Sequence, residues 1–279
     1  MKTEPSAHIV IDANDRSSSF SWQKIRPYAD LLRSFVLRDW KVRFGQTRLG
    51  FLWMILQPLI TASLLTLVFG LLVQRGNAPI PYPLFVLSGW MGWTFFSSAS
   101  LQSVQLIPQY QAMMRKVYFP KAILPLSKLI GLLPEFCIAL LMTLIYGAVS
   151  GSLSIRALSV PLFFPLLLFF VFGTVAWFSA LGGGYRDIQQ LAPYTFQMLF
   201  FLSPVAYPFG LLGQYLPEWG KVLLYLNPMA GCIDLFRYLL FEGFELHSRV
   251  LWSAAVALIL ALSGARKFAR EERKWTEGL

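Results

Sequence analysis

Residues 41–59 read KVRFGQTRLGFLWMILQPL. Lys41 and Arg43 close a stretch of helical spacing, Gly45, Gln46 and Thr47 interrupt it, and Arg48 adds another cation. An apolar run then extends to Val73 with Gln57 and Pro58 in its interior. A helix needs about 20 apolar residues to cross a hydrocarbon core, and cations crowded against such a run mark its cytoplasmic end. Composition agrees: 56% of the 279 residues are hydrophobic and 14% are charged, against roughly 25% charged in soluble domains. The sequence is that of a membrane protein.

The formal net charge of +10 would suit nucleic acid only as a basic face on a soluble fold. Here the cations flank apolar runs, so no nucleic-acid partner is expected. Cys137 and Cys232 offer neither metal-ligand spacing nor a disulfide framework and read as packing residues. His8 and His247 belong to no acid–base or metal cluster. Residues 1–27 lack the apolar core of a signal peptide and read as a disordered cytoplasmic tail.

The expected fold is an all-α integral membrane protein. Residues 28–48 form an amphipathic interfacial helix and connector, and 49–268 a six-helix domain with spans near 49–73, 84–107, 129–149, 160–181, 193–212 and 249–268. The last span is short and needs Arg249 and Arg266 to snorkel. Residues 213–248 contain an ambiguous stretch, Val222 to Phe241, interrupted by Asn227 and Pro228. The basic ends at Met1–Arg48 and after the last span place both termini in the cytoplasm, which requires an even number of spans. Six spans put 19 of 24 basic residues inside. The ambiguous stretch then reads as two short re-entrant helices covered by protein, and 269–279 as a cytoplasmic tail.

Four features carry candidate chemistry. Tyr28, Leu31, Leu32, Phe35 and Val36 recur at helical spacing opposite Asp30, Arg33, Arg38 and Lys41, although Asp39 interrupts the apolar face. This pattern fits a topogenic anchor and a moving gate equally well. The second span sets Trp90, Trp93, Phe95 and Phe96 beside Ser97, Ser98, Ser100, Gln102, Ser103 and Gln105, which fits either close helix packing or the lining of a hydrated path. Between spans two and three, Met113, Met114, Arg115, Lys116, Tyr118 and Phe119 form an exposed-looking mixture suited to protein docking. GGGYRDIQQLAP is a second cytoplasmic loop candidate. Glu135, six residues into the third span, has Lys128 two turns earlier as a structural partner, with a proton relay as the alternative. Asp234 and Arg237 are spaced to pair. The phosphate-cradling motif is missing, since Gly220-Lys221 is followed by Val222, so the chain is no ATPase by that route and no enzyme is expected.

The segments GQTRLGFLWMILQPL (45–59), FVLSGWMGWTFFSSA (85–99), RKVYFPKAILPLSKL (115–129), YRDIQQLAP (185–193), FLSPVAYP (201–208) and YLNPMAG (225–231) occur in an order that resembles the transmembrane subunit of ABC-2 type polysaccharide exporters. These are permeases for O-antigen, capsule and teichoic acid chains. The resemblance runs from about residue 28 to the C-terminus. It implies a homodimer enclosing a channel in the bacterial plasma (inner) membrane, driven by two copies of a separate ABC ATPase that binds ATP and Mg, with no cofactor in this chain. It implies that residues 28–44 act as a gate, that about 109–118 dock into the ATPase, and that Trp90, Trp93, Phe95 and Phe96 line the channel; Gln57, beside the helix-breaking Pro58, either satisfies freed backbone or faces the pore. The implied cargo is a glycan on a polyprenyl diphosphate lipid. Trp40, Arg43 and Arg48 would stand at its headgroup, Arg43 and Arg48 receiving the diphosphate or serving only to fix orientation. Pro58 would bend the first span toward the gate. Rival readings are an ABC-2 permease for a drug or small lipid, and an ATP-independent channel or carrier. The latter calls for inverted repeats, and no self-similarity is evident.

Overall fold

A computed structural model describes residues 22–45, 47–74, 79–208 and 217–277. Residues 1–21 of the expected tail, and 209–212 of the expected fifth span, lie outside the described residues. The fold is helical: α1 (Trp22–Ile25), α2 (Ala29–Phe44), α3 (Trp53–Gln74), α4 (Tyr82–Val104), α5 (Leu106–Met114), α6 (Ile123–Val149), α7 (Val160–Gly184), α8 (Arg186–Phe201), α9 (Glu218–Tyr225), α10 (Pro228–Leu240) and α11 (Val250–Glu277).

Among the described residues four helical stretches are long and apolar enough to cross a membrane: Gly50–Gly70, Ile123–Val149, Ile155–Gly184 and Val250–Glu272. Their outward faces carry large apolar side chains, including Leu67, Ile145, Leu162 and Leu251. With no apolar phase around it such a surface would drive association, whereas lipid accommodates it. The 23-residue α4 has the length of a span but a mixed composition, and its place in the fold explains why. It is the helix around which α3, α6, α7, α8 and α10 assemble. Phe95 packs on Phe136 of α6, Phe96 stacks on Phe170 of α7, and Trp93 meets Phe200 of α8. Two of its serines are satisfied within the bundle, the Ser103 hydroxyl donating to the Ser100 carbonyl at 2.6 Å and the Ser100 hydroxyl lying 3.4 Å from that of Thr174, while the buried Thr94 hydroxyl finds no partner among the described residues.

Several boundaries differ from the sequence reading. Residues 22–27, expected to be disordered, form helical turns and bury Ile25. The third long helix starts at Ile123 rather than 129 and runs for 27 residues. The expected loop GGGYRDIQQLAP is a sharp helix-to-helix junction instead: α7 continues through Gly184, Tyr185 is extended, and α8 begins at Arg186. Gly182 is required there by proximity, since a Cβ on it would lie 1.8 Å from the Val104 carbonyl oxygen. At 16 residues α8 is about 24 Å long, shorter than a hydrocarbon core. The tail expected at 269–279 is helical through Glu277, as the continuation of α11.

The stretch from Val222 to Phe241 breaks at the expected place, into α9 and α10. Asn227 starts the second helix: its Oδ1 accepts from the Met229 amide at 3.1 Å, and Pro228 occupies the first position, where no amide hydrogen is needed. The pairing expected inside this segment does not form. Arg237 turns into the bundle, where its guanidinium donates to Ser88, to the Phe85 carbonyl at 3.0 Å and to the Val205 carbonyl at 3.2 Å, while Asp234 accepts from the Tyr225 hydroxyl at 2.7 Å.

The most extensive helix pair, α7 with α11, is built on small residues. A Cβ on Gly173 would lie 2.1 Å from the Ala261 Cα, and one on Gly264 would lie 2.0 Å from the Gly173 carbonyl oxygen. The two backbones are in direct contact, which is how apolar helices gain packing where no hydrophobic drive separates them from lipid.

Candidate functional site

At one end of the bundle α2 lies between α6 and α5, and each of its edges is tied to one of them. The α6 edge is a ladder of three contacts. Asp39 pairs with Lys128, the Trp40 indole donates to the Gly131 carbonyl at 2.8 Å, and Arg43 pairs with Glu135 at 2.5 Å. Positions 39, 40 and 43 share one face of α2, and 128, 131 and 135 climb one face of α6 at helical spacing. The partnership expected between Lys128 and Glu135 is therefore replaced by two interhelical pairs, because α2 brings an opposite charge to each. It also explains Asp39, the residue that spoils the apolar face: it is the counter-charge for Lys128, whose side chain is only 8% exposed. Buried ammonium groups need such a partner.

The α5 edge is aromatic. Phe35 meets Tyr110 edge-on at 5.1 Å and Phe119 at 6.0 Å. Arg38 donates to the Tyr110 hydroxyl and lies 4.8 Å from the ring centroid, a cation–π geometry. Burial, with Asp39 adding to it, pushes the Tyr110 phenol up to about 12, so it stays neutral beside Arg38. These rings belong to an apolar cluster with Ile25, Leu106, Met114, Ile123 and Phe268. The far end of α11 closes it: Trp275 packs on Phe268, and Glu272 accepts from the Lys121 amide at 3.0 Å. Burial pulls the Lys121 ammonium down and Glu272 pushes it back up.

Two spaces flank the ladder. A cleft of about 310 Å³ is lined by Arg38, Asp39, Arg43, Gln102, Gln109 and Lys128. A small cavity of about 30 Å³ lies between α3, α4 and α6 and is lined by Gln57, Trp90, Thr94 and Glu135. Leu132 borders both, and the Arg43–Glu135 pair reaches from one to the other.

Of the residues singled out from the sequence, Trp40 and Arg43 meet in the ladder, and Gln57, Trp90 and Phe95 border the small cavity. Trp93, Phe95 and Phe96 are at most 5% exposed and sit in the packed core of this chain. Arg48 is exposed and forms no ion pair among the described residues. Beyond α5, Arg115, Lys116 and Tyr118 face outward and Met113 is half-buried, but Met114 and Phe119, which look exposed from the sequence, are buried in the apolar cluster. Tyr110, Arg38 and Lys128 were not singled out as site residues. The sequence offers Lys128 only as a partner for Glu135 and Tyr110 only within the docking segment, and the signal for the α2 contact is Asp39, a charge where the pattern calls for an apolar side chain.

Removing the indole donor tests the ladder in isolation. Trp40→Phe keeps the ring and loses the bond to Gly131, at an expected cost of about 1 kcal/mol. Faster hydrogen exchange over residues 29–44, with the rest unchanged, is the expected reading; an unchanged α2 would mean that the indole bond holds nothing.

A profile described as ABC-2 type transporter matches residues 30–241. The chain is 26% identical over 259 residues to an O-antigen export system permease protein RfbA of Myxococcus xanthus, covering 92% of this chain and 98% of that protein. An RfbA of Klebsiella pneumoniae with the same description is 27% identical over 241 residues, covering 84% of this chain and 90% of the relative. The polysialic acid transport protein KpsM of Escherichia coli is 28% identical over 239 residues, covering 81% and 85%.

Proposed function

The chain belongs to the ABC-2 type transporter family, and on that premise we propose that it is the channel-forming permease subunit of an ATP-driven exporter of a polyprenyl-diphosphate-linked polysaccharide. Two copies enclose the path, each with six spans, α4 and α8 being the second and fifth and α9 with α10 dipping in as re-entrant helices. Both termini face the cytoplasm of a bacterial cell, and two copies of a separate ATPase supply the energy. The relatives named for O-antigen export and polysialic acid transport support a glycan as cargo.

The observation that carries the reading is the position of α2, tied on one edge to α5 and on the other to α6. The ATPase docks on the surface around Arg115, Lys116 and Tyr118. A displacement of α5 passes to α2 through the Phe35, Arg38 and Tyr110 contacts. Moving α2 separates Asp39 from Lys128 and Arg43 from Glu135 and joins the cleft to the cavity beside Gln57 and Trp90. The diphosphate enters at Arg48, which has no ion pair to give up among the described residues, and then takes Arg43 from Glu135, since phosphate and carboxylate both fit the guanidinium fork. Trp93, Phe95 and Phe96 hold α4 in place behind this path.

The test is co-purification from the native membrane. The chain is expected to carry a stoichiometric P-loop ATPase, and Arg115→Glu with Lys116→Glu and Tyr118→Ala is expected to lower the retained ATPase at least about tenfold, the loss of a few kcal/mol of interface energy. A chain that arrives without an ATPase, under conditions that keep other such complexes whole, would overturn the proposal.

A further inference from the structure

The end of the bundle opposite α5 holds a cavity of about 550 Å³ beneath α9 and α10, and its floor includes Arg237. This residue is 1% exposed. Its Nε donates to the Ser88 hydroxyl at 3.2 Å, its Nη2 to two backbone carbonyls, and its guanidinium carbon lies 3.5 Å from the Phe85 ring centroid. Among the described residues no carboxylate bonds it directly: Asp234 acts on it through space but forms no ion pair with it and spends Oδ2 on the Tyr225 hydroxyl. Nη1 makes no hydrogen bond among the described residues. A guanidinium has five donors, so this one is a buried cation whose direct hydrogen bonds are all to neutral groups, with part of its fork unused and the Asp234 carboxylate acting on it only at a distance. That state is costly unless an anion completes it. The walls of the cavity have the same sign bias. Lys221 and Arg249 join Arg237, against Asp234 and Glu245.

We propose that this cavity binds an oxyanion, a phosphate or phosphodiester group, with Arg237 as the fixed donor and Lys221 and Arg249 as the charged walls. The planar fork suits such a group. Two sources share this chemistry: the headgroup of an anionic phospholipid in the adjoining leaflet, and a phosphate group in solution or on a cargo. The proposal stands apart from the export reading, since it requires only that the chain sits in a membrane.

The experiment uses the full-length chain, with any ATPase that accompanies it, in phosphatidylcholine nanodiscs, and reads the thermal unfolding midpoint. One series adds inorganic phosphate against sodium chloride of matched ionic strength; a second replaces part of the phosphatidylcholine with phosphatidylglycerol. Occupancy to about ten times the dissociation constant raises the midpoint by about 4 °C. A rise with phosphatidylglycerol alone assigns the site to a lipid headgroup, a rise with phosphate alone to a soluble or cargo-borne group, and a rise with both to phosphate from either source. Arg237 anchors α10 to α4, so its loss threatens the fold. The binding variant is therefore Lys221→Gln with Arg249→Gln, which is expected to abolish the rise. No rise above the chloride control in either series, or a rise that survives in the double variant, overturns the proposal.

Discussion

Asp39→Asn is expected to release α2 from α6. The Lys128 ammonium, 8% exposed, would lose its carboxylate, and removing one member of such a pair costs about 3–5 kcal/mol because the other charge stays behind. The loss should appear as rapid hydrogen exchange across residues 29–44 and a lower unfolding midpoint. Two rescues separate electrostatics from packing. The exchange Asp39→Lys with Lys128→Asp should recover most of the loss, and Asp39→Leu with Lys128→Met should come close to neutral, since apolar side chains of similar volume replace buried pairs well. Under the proposed coupling, the assembled complex carrying the single variant should also hydrolyse ATP with less transport per turnover, because α5 would then move a helix that no longer commands the cleft. If the Asp39→Asn variant matched the parent in exchange and midpoint, the pair would not be what holds α2.

The second large effect is steric. Gly173→Leu places a side chain where the Ala261 backbone stands, at 2.1 Å from the first added carbon. Nothing flexible is there to yield, so α7 and α11 must separate along their whole contact. Overpacking costs about 1–3 kcal/mol where side chains can shift, and a backbone-to-backbone clash should exceed that. The expected outcome is loss of folded protein on extraction from the membrane, with Gly264→Leu behaving the same way. A Gly184→Ala control, with nothing within 4 Å of the new carbon, should fold normally.

These two sites also show what the sequence makes legible. Apolar runs reveal α3, α6, α7 and α11 because composition alone separates lipid-facing helices from the rest. The polar load of α4 correctly announces a helix away from lipid, and Asn227 with Pro228 announces a break, because both signals are local. Pairing between distant helices is not local. Helical spacing sets Lys128 and Glu135 on one face, and that is all it can do; that each faces a different charge from α2 depends on where α2 is laid down. The same holds for Arg237, whose neighbour in sequence, Asp234, looks like its partner, while its actual contacts come from residues 85, 88 and 205. The glycines at 182–184 read as a loop on propensity, yet Gly182 is helical because only it admits the Val104 carbonyl. The coupling candidates divide along similar lines. Arg115, Lys116 and Tyr118 are outward, whereas Met114 and Phe119 turn inward for reasons that only the apolar cluster supplies.

The hydrogen bond from Lys121 to Glu272 joins positions 151 residues apart. At 5–20 residues per second, the ribosome needs roughly 8–30 s to pass from one to the other. Through that interval the segment after α5 exists without Glu272, Phe268 and Trp275 beneath it. The surface that an ATPase would grip is thus encoded near the middle of the chain but finished by its last turns of helix. On the proposed docking, a chain lacking the end of α11 would offer its ATPase an unfinished grip, and capture of the partner would wait on Phe268, Glu272 and Trp275.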